Sequence, residues 1–375
     1  MLNYKDKDET FSIDMQVNIQ SNIKIYSASI SDLIKNEWKS IRKLVFIDSK
    51  VLFYWNEWLE LENQQKNLTL LPMSVNEEVK NSTTLFNCIE RMETWGTSRK
   101  NDMIIVVGGG AIMDIVSLAC NLYRRGIKII KVPTTLLGYV DASIGIKTGI
   151  NHLGRRNRLG TYYTNYDVVI DYSYINTLDI KLIREGLGEI FKIAIIKSCE
   201  LFTLLETNSQ NLLKAEFYKT NIGKKIINLS IYLMLEELHE NPTESTLKRC
   251  VDFGHTFSPL VEMESLQNDF YKSIPHGLAV GVDCIISCII SYKRGKLSEL
   301  ELNRVINLAK KIGFEEYHDL FQNVDLMWSS LVEMTKHRGG HQNIPLPMEI
   351  GKYFFLQDLN YDELSTATTF LKDMG

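Results

Sequence analysis

Between Lys131 and Tyr163 the chain reads KVPTTLLGYVDASIGIKTGINHLGRRNRLGTYY. This segment gathers Thr134, Thr135, Asp141, Lys147, the Asn151-His152 pair and the arginine-flanked Asn157 between repeated glycines. A segment that only links two elements needs turn formers. This one also carries cations, a carboxylate and amides where glycine lets a ligand approach the backbone, so it reads as the floor of an active site.

Three residues far apart in the chain have the makings of a divalent metal site: Glu189 in REGLGEIFK, His255 in DFGHTF and His276 in IPHGLAV. A carboxylate and two imidazoles leave a coordination position open for substrate oxygens, which suits a catalytic rather than a structural zinc. Spacing alone leaves a plain helix-face role open for each. Lys192 follows Glu189 by three places on an expected helix, so the two side chains share a face. Lys147, Arg156, Asn157, Lys192, Lys248, Arg249 and Arg338 are groups that can collect around a phosphate, and Asp141 and Asp252 can bind hydroxyls. Taken singly, each has a solvated surface role as its alternative.

A second kind of anion site is written in MIIVVGGGAIMD. Gly108–Gly110 fall between an apolar strand and a helix start, where backbone N–H groups and the helix dipole can face a pyrophosphate. The spacing departs from GxGxxG, with Met113 in place of the last glycine, and a tight turn without a ligand is the plain alternative. Asp114 suits either a helix cap or a bond to a ribose or nicotinamide amide.

The elements that must position these groups follow from periodicity. Leu44–Asp48, Leu68–Met73, Met103–Val107 and Ile127–Val132 read as short buried strands. Helical patterns lie between them at Val51–Glu62, Ser82–Trp95 and Ala111–Tyr123. This alternation predicts a parallel, doubly wound sheet with ligands at the strands' C-terminal ends. From Lys181 onward helical periodicity dominates, at Leu187–Leu205, Gly223–Leu238, Leu278–Ser291, Glu299–Ile312 and Val324–Lys336. A small strand pair within Pro345–Phe355 and a last helix at Tyr361–Leu371 complete the reading, and Met1–Ser21 reads as a loose arm leading to a strand.

Composition sets limits on function. The 375 residues suffice for two domains, and 45% apolar content is ordinary for a globular chain. A formal net charge of −4 without a long basic run lacks the footprint of a nucleic-acid binder, so an anionic ligand must be held locally. Six scattered cysteines without a CxxC pair suit buried thiols in a reducing compartment. No apolar run approaches bilayer length, and a soluble cytoplasmic protein without membrane or nucleic-acid partners is expected.

The segments NEEVK, GGGAIMD, RRG, PTTLLGYVDASIGIKTGIN, NRLG, REGLGEIFK, DFGHTF and PHG, in this order, resemble the dehydroquinate synthase-like sugar phosphate cyclases from about Asp48 to Gly351. The resemblance implies an α/β plus all-α architecture: a Rossmann-like NAD-binding domain over 1–179 and a mainly helical metal-binding domain over 180–375, with the active site between them. It implies Glu189, His255 and His276 as ligands of Zn2+ or Co2+. Asp48, Glu77, Lys80, Gly109, Gly110, Asp114, Thr134, Thr135, Lys147, Arg156 and Thr177 are implied at the NAD site. Asp141, Lys147, Asn157, Lys192, Arg249 and Asp252 are implied around the substrate, with Arg125 reaching in from the partner subunit of a homodimer.

Where dehydroquinate synthases have GHTFGHA this chain has Pro259 in GHTFSPLVEM, and where they have asparagine it has Asp252. An added carboxylate disfavours a substrate carboxylate, so a neutral sugar end is expected. DFGHTFSP, YRRG and NRLGTYY resemble the branch that cyclises sedoheptulose 7-phosphate, and KTGIN and IPLPMEIG look more like its 2-epi-5-epi-valiolone synthases than its desmethyl-4-deoxygadusol synthases. Arg156 replaces a common lysine, and Leu278 replaces the common glutamate of HGEAV beside His276. The reaction implied is a transient oxidation by NAD at a metal-held ring hydroxyl, loss of phosphate, return of the hydride, ring opening and intramolecular aldol closure. The rival readings are 2-epi-valiolone, desmethyl-4-deoxygadusol or 3-dehydroquinate synthesis, a metal-dependent polyol dehydrogenase, and a non-catalytic sugar-phosphate sensor.

Overall fold

The computed structural model describes residues 2–4, 11–13, 23–314 and 318–374. Of the expected N-terminal arm, Leu2–Tyr4 and Phe11–Ile13 pair as two antiparallel strands, and the rest lies outside the described residues.

Six parallel strands form the main sheet, in the spatial order Ile25–Tyr26, Tyr166–Val169, Ile129–Pro133, Asp102–Gly108, Arg42–Asp48, Leu68–Met73. The central strands RKLVFID and DMIIVVG are nearly continuous aliphatic runs because helices cover both faces of the sheet. Alternate side chains divide between two cores. Leu44, Phe46, Ile104 and Val106 enter one that continues into the helical half. Val45, Ile47, Ile105 and Val107 enter a smaller one with Ile30, Trp38 and Trp58. The chain first winds outward from Arg42–Asp48 to Leu68–Met73, then crosses back to Asp102–Gly108 and winds the other way. A crevice therefore opens between the C-terminal ends of Arg42–Asp48 and Asp102–Gly108, where doubly wound sheets take their ligands.

Beyond residue 180, helices Ile180–Lys197 and His276–Lys293 form the spine of the second half. Their crossing is set by two glycines. A Cβ on Gly188 would lie 2.0 Å from the Gly277 carbonyl oxygen, and one on Gly277 would lie 1.8 Å from that of Glu185, so backbone meets backbone. Ile190, Phe191 and Ile286 are fully buried around this crossing, each contributing about 1.5–3 kcal/mol of apolar burial. His276–Lys293 is long and apolar enough to cross a membrane, but its apolar window is 78% buried within the protein, as befits a core helix.

Three local expectations differ from what is observed. The helix expected over Val51–Glu62 is two, Ser49–Tyr54 and Glu57–Gln64, broken where Trp55 leaves helical geometry to pack against Tyr174 at 4.9 Å. The helix expected over Leu187–Leu205 also divides, into Ile180–Lys197 and Cys199–Thr207, because Ser198 turns extended and caps the second piece by accepting from Leu201 N–H. The segment read as a glycine-rich floor contains an antiparallel hairpin, Lys147–His152 with Arg155–Tyr162. Its glycines and charges dilute the alternation by which a strand is recognised.

Candidate active site

A cleft of about 730 Å³ lies between the sheet's C-terminal edge and the helical half. Of the residues implied above at the metal, NAD and substrate sites, all line it except Arg125 and Glu189, the latter 1% exposed and beneath its floor; Lys248 and Arg338, named as further phosphate candidates, do not line it.

At one end, the Gly188–Gly277 crossing delivers Glu189 from mid-helix and His276 from a helix start. His255 comes from the loop before Ser258–Gln267, held from below by Asp283, whose buried carboxylate accepts from Phe257 and Ser258 N–H at 2.6 and 2.8 Å. The ligating atoms of Glu189, His255 and His276 lie within 4.8 Å of one another. Both imidazoles turn Nε2 toward Glu189 Oε1, at 3.6 Å for His255 and 3.2 Å for His276. Each Nδ1 faces an oxygen: the Phe253 carbonyl at 3.2 Å for His255, and the Glu262 carboxylate at 3.0 and 3.1 Å for His276, whose Nδ1 also lies 2.9 Å from Arg156 Nη1. Neither Glu189 oxygen has a hydrogen-bond partner, although both are buried and the Lys192 ammonium is ion-paired to Oε2. Two Nε2 atoms and an under-satisfied carboxylate aimed at one point fit a divalent cation.

Charges at this corner act on one another. Burial alone would raise the Glu189 pKa, but Lys192 and the two histidines hold it well below the usual range. Burial would lower Lys192, yet Glu189 and Asp141 keep it above its ordinary value. Asp141 is pushed up, first by burial and then by Glu189. Burial and the neighbouring Lys192 hold His255 well below its ordinary value, leaving it neutral and able to act as a ligand.

Along the sheet edge, the helix Gly110–Leu122 begins at Gly109 with no side-chain cap, leaving its first N–H groups facing the cleft. A Cβ on Gly109 would come within 3.3 Å of the Thr135 methyl, so the space is a cradle that a side chain would fill. Asp48 ends its strand here and caps the next helix through Lys50 N–H at 2.8 Å, with burial raising its pKa. Lys80 is 2% exposed and donates to Asp114 Oδ2 and to Asn157 Oδ1 at 2.6 Å. Thr177 accepts from the Trp55 indole at 3.3 Å. An uncapped helix N-terminus over a cradle of glycine and threonine fits the pyrophosphate of a dinucleotide.

At the far end, Lys147 and Arg249 are both ion-paired to Glu244. That carboxylate also accepts from Tyr162 Oη at 3.2 Å, and Lys147 and Arg249 outweigh burial to hold its pKa low. Asp252 does not stand as the free carboxylate expected above. Arg249 pairs with one oxygen and the buried Arg338 with the other at 3.1 Å, so its charge is neutralised before any substrate arrives. Lys248 lies over the Phe355 ring at 4.8 Å and does not line the cleft. Arg125 is exposed at φ 61° on the surface.

Sequence reasoning missed Glu244 and Glu262. Glu244 stands in a stretch without a motif and Glu262 near the end of GHTFSPLVEM, where attention falls on His255 and Pro259; the meaning of both lies in partners brought from elsewhere in the chain.

Residues 70–185 match the 3-dehydroquinate synthase N-terminal family and residues 186–337 match the 3-dehydroquinate synthase C-terminal family. The chain therefore belongs to the 3-dehydroquinate synthase family. It is 37% identical over 341 residues to a 2-epi-5-epi-valiolone synthase of Streptomyces albus, covering 89% of this chain and 82% of that protein. It is 30% identical over 385 residues to a demethyl-4-deoxygadusol synthase of Trichormus variabilis, covering 99% of this chain and 92% of that protein. Among solved structures, ValA, the 2-epi-5-epi-valiolone synthase of Streptomyces hygroscopicus subsp. jinggangensis 5008 with NAD+ and Zn2+ bound, superposes with a TM-score of 0.89 at 33% identity, covering 97% of this chain and 100% of that one.

Proposed function

We propose that this protein is a sugar phosphate cyclase that converts sedoheptulose 7-phosphate to 2-epi-5-epi-valiolone, using NAD and Zn2+ or Co2+. The observation that carries the reading is the convergence, in one cleft, of a three-ligand metal corner, an uncapped glycine cradle and a pair of cations at the opposite end. The higher identity to 2-epi-5-epi-valiolone synthases than to a demethyl-4-deoxygadusol synthase favours this product.

Glu189, His255 and His276 hold the metal, and the Gly109–Gly110 cradle with Asp48, Glu77, Lys80, Asp114, Thr134, Thr135, Arg156 and Thr177 holds the dinucleotide. Bound NAD supplies a hydride acceptor that is restored within each turnover, and the bound cation supplies Lewis acidity toward substrate oxygens. Lys147 and Arg249 take the phosphate by exchanging Glu244 for it, which keeps the leaving group's charge compensated as its C–O bond breaks. Lys192 stays cationic beside Glu189 and Asp141, so its Nζ donates to a ring oxygen and stabilises negative charge developing there. Asp141 binds a hydroxyl, and Asn157, fixed through its oxygen by Lys80, borders the same ring. The conversion is redox-neutral overall: phosphate leaves with the C–O electron pair, a neighbouring carbon loses a proton, and an aldol C–C bond closes the carbocycle.

The protein acts in the cytoplasm as a homodimer in which Arg125 faces the partner's site. The exposed Arg124–Arg125 turn and free cysteines that are buried except for Cys199 support this part of the reading.

Incubation with sedoheptulose 7-phosphate, catalytic NAD and zinc or cobalt should release phosphate and give a single valiolone-type product without accumulation of NADH. Phosphate release only from the dehydroquinate precursor would overturn the substrate, and net NADH formation from a polyol would overturn the reaction class.

A further inference from the structure

Glu262 is a buried carboxylate, 3% exposed, on the helix Ser258–Gln267. A charge at such a site is costly unless it is paired. It has two partners. Arg156 makes an ion pair with it through Nη1, and His276 Nδ1 lies 3.0 and 3.1 Å from its two oxygens; Arg156 Nη1 also lies 2.9 Å from His276 Nδ1, so the three groups meet at one point. Across the cleft, Arg156 Nε is ion-paired to Glu77 Oε1 at 3.3 Å. Glu77 in turn accepts from Asn151 Nδ2 at 3.0 Å and lies 3.9 Å from the Lys80 ammonium. One unbroken line of charged groups thus joins Lys80 and Glu77, on the dinucleotide side, to an imidazole on the metal side.

The chemistry of His276 gives that line a direction. Its Nε2 points at Glu189, so a cation there takes the Nε2 lone pair and the ring proton must sit on Nδ1. A carboxylate accepting from Nδ1–H fixes the tautomer and the ring plane and makes Nε2 a better donor to a metal. Leu278, two places along from His276, cannot supply that carboxylate; Glu262 reaches it from another helix.

We infer that Glu262 is the positioning residue for His276, and that Arg156, shared between Glu262 and Glu77, makes metal affinity depend on whether the dinucleotide edge is occupied. Arg156 divides its charge between two carboxylates. A ligand that engages Glu77 and Lys80 changes that division, and with it how strongly Glu262 accepts from His276. Linkage then requires the metal to change dinucleotide affinity by the same factor. The inference rests on the metal centre proposed above.

Cobalt dissociation constants from chelator competition, with the visible cobalt spectrum as a second readout, test it with and without NAD. In Glu262→Gln, which keeps the side-chain shape, the constant should rise about 10–100-fold and the cobalt bands should shift, with an unchanged far-ultraviolet circular dichroism spectrum. Glu262→Asp, which keeps the charge, should recover part of the loss. In wild type NAD should change the cobalt constant, and in Arg156→Gln that change should vanish, whereas Arg156→Lys, with one point charge instead of a fork, should keep only part of it. Cobalt binding by Glu262→Gln within about twofold of wild type would overturn the positioning role, being far below the loss expected for such a partner. An NAD effect that is absent from wild type, or intact in Arg156→Gln, would overturn the coupling. Failure of wild type itself to bind cobalt would instead sink the metal centre.

Discussion

At the metal corner, buried Glu189 is paired with Lys192 through one oxygen and has two imidazole Nε2 atoms aimed at the other, whereas at the opposite end Lys147 and Arg249 already share the carboxylate of Glu244. The first corner brings three metal-ligating atoms within 4.8 Å of one another in a buried place and fits a cation. The second is balanced internally, so an anion proposed to bind there must exchange with Glu244. On the proposed reading, one cleft takes a metal by convergence of ligands and a phosphate by replacement of a carboxylate. The two kinds of site should respond differently when their residues are changed.

The comparison breaks most visibly at His255. In His255→Ala, turnover should fall by about a thousandfold or more, because loss of one charge-stabilising group from a preorganised site already costs ~100–1000-fold. Bound metal should be lost in parallel while circular dichroism stays unchanged. Near-normal phosphate release in that variant would remove His255 from the site.

A smaller effect sharpens the contrast between carboxylates. Asp252 is neutralised by two arginines, but Asp283, beneath the His255 loop, has only N–H and hydroxyl donors, and burial raises its pKa to about 6. Because this value lies above the ordinary 3.8, the folded protein holds a proton that the unfolded chain has released between those limits. Asp283 therefore contributes stability that is fully present below about pH 4 and is lost as pH rises through about 6, on the order of 3 kcal/mol in all. Urea unfolding of metal-free wild type and Asp283→Asn from pH 4 to 7 should show the wild type gaining on the variant as pH falls. A constant difference would mean that this carboxylate is not perturbed.

The mildest change tests exchange at the anion corner. Glu244→Gln should bind inorganic phosphate up to about fivefold more tightly than wild type at fixed ionic strength, since a part-exposed ion pair is worth no more than ~1 kcal/mol. Weaker phosphate binding would show that Glu244 organises the cations and does not compete for them. Its backbone, at φ 55°, is in a left-handed conformation that costs a non-glycine residue about 1–2 kcal/mol, consistent with a loop constrained to present this side chain.

Local signals located much of the fold. Ser82–Trp95 and Glu299–Ile312 have the ends expected from sequence because Asn81 and Ser298 cap their starts and left-handed Gly96 and Gly313 close them, all within a turn of each helix. The hairpin Lys147–Tyr162 was not legible as strands, since its pairing is with itself across glycines and its charged faces serve the cleft. His255 and His276 could be singled out because histidine is uncommon here and chemically specific, and Glu189 because of the REGLGEIFK segment that carries it. The roles of Glu262 and Glu244 could not be, because a glutamate's meaning depends on what faces it.

What the amino-acid order determined by itself was the set of elements, the parallel sheet with its crevice, and the inventory of groups able to hold a metal, a pyrophosphate and a phosphate. Only the tertiary structure decided which charges are already paired: Arg338 comes 86 positions along the chain to neutralise Asp252, and Glu262 lies 106 positions from the Arg156 that it holds. Periodicity and capping act over a few residues and leave a mark in the sequence. Ion pairing depends on distance and burial in three dimensions, and these exist only once the helices have crossed.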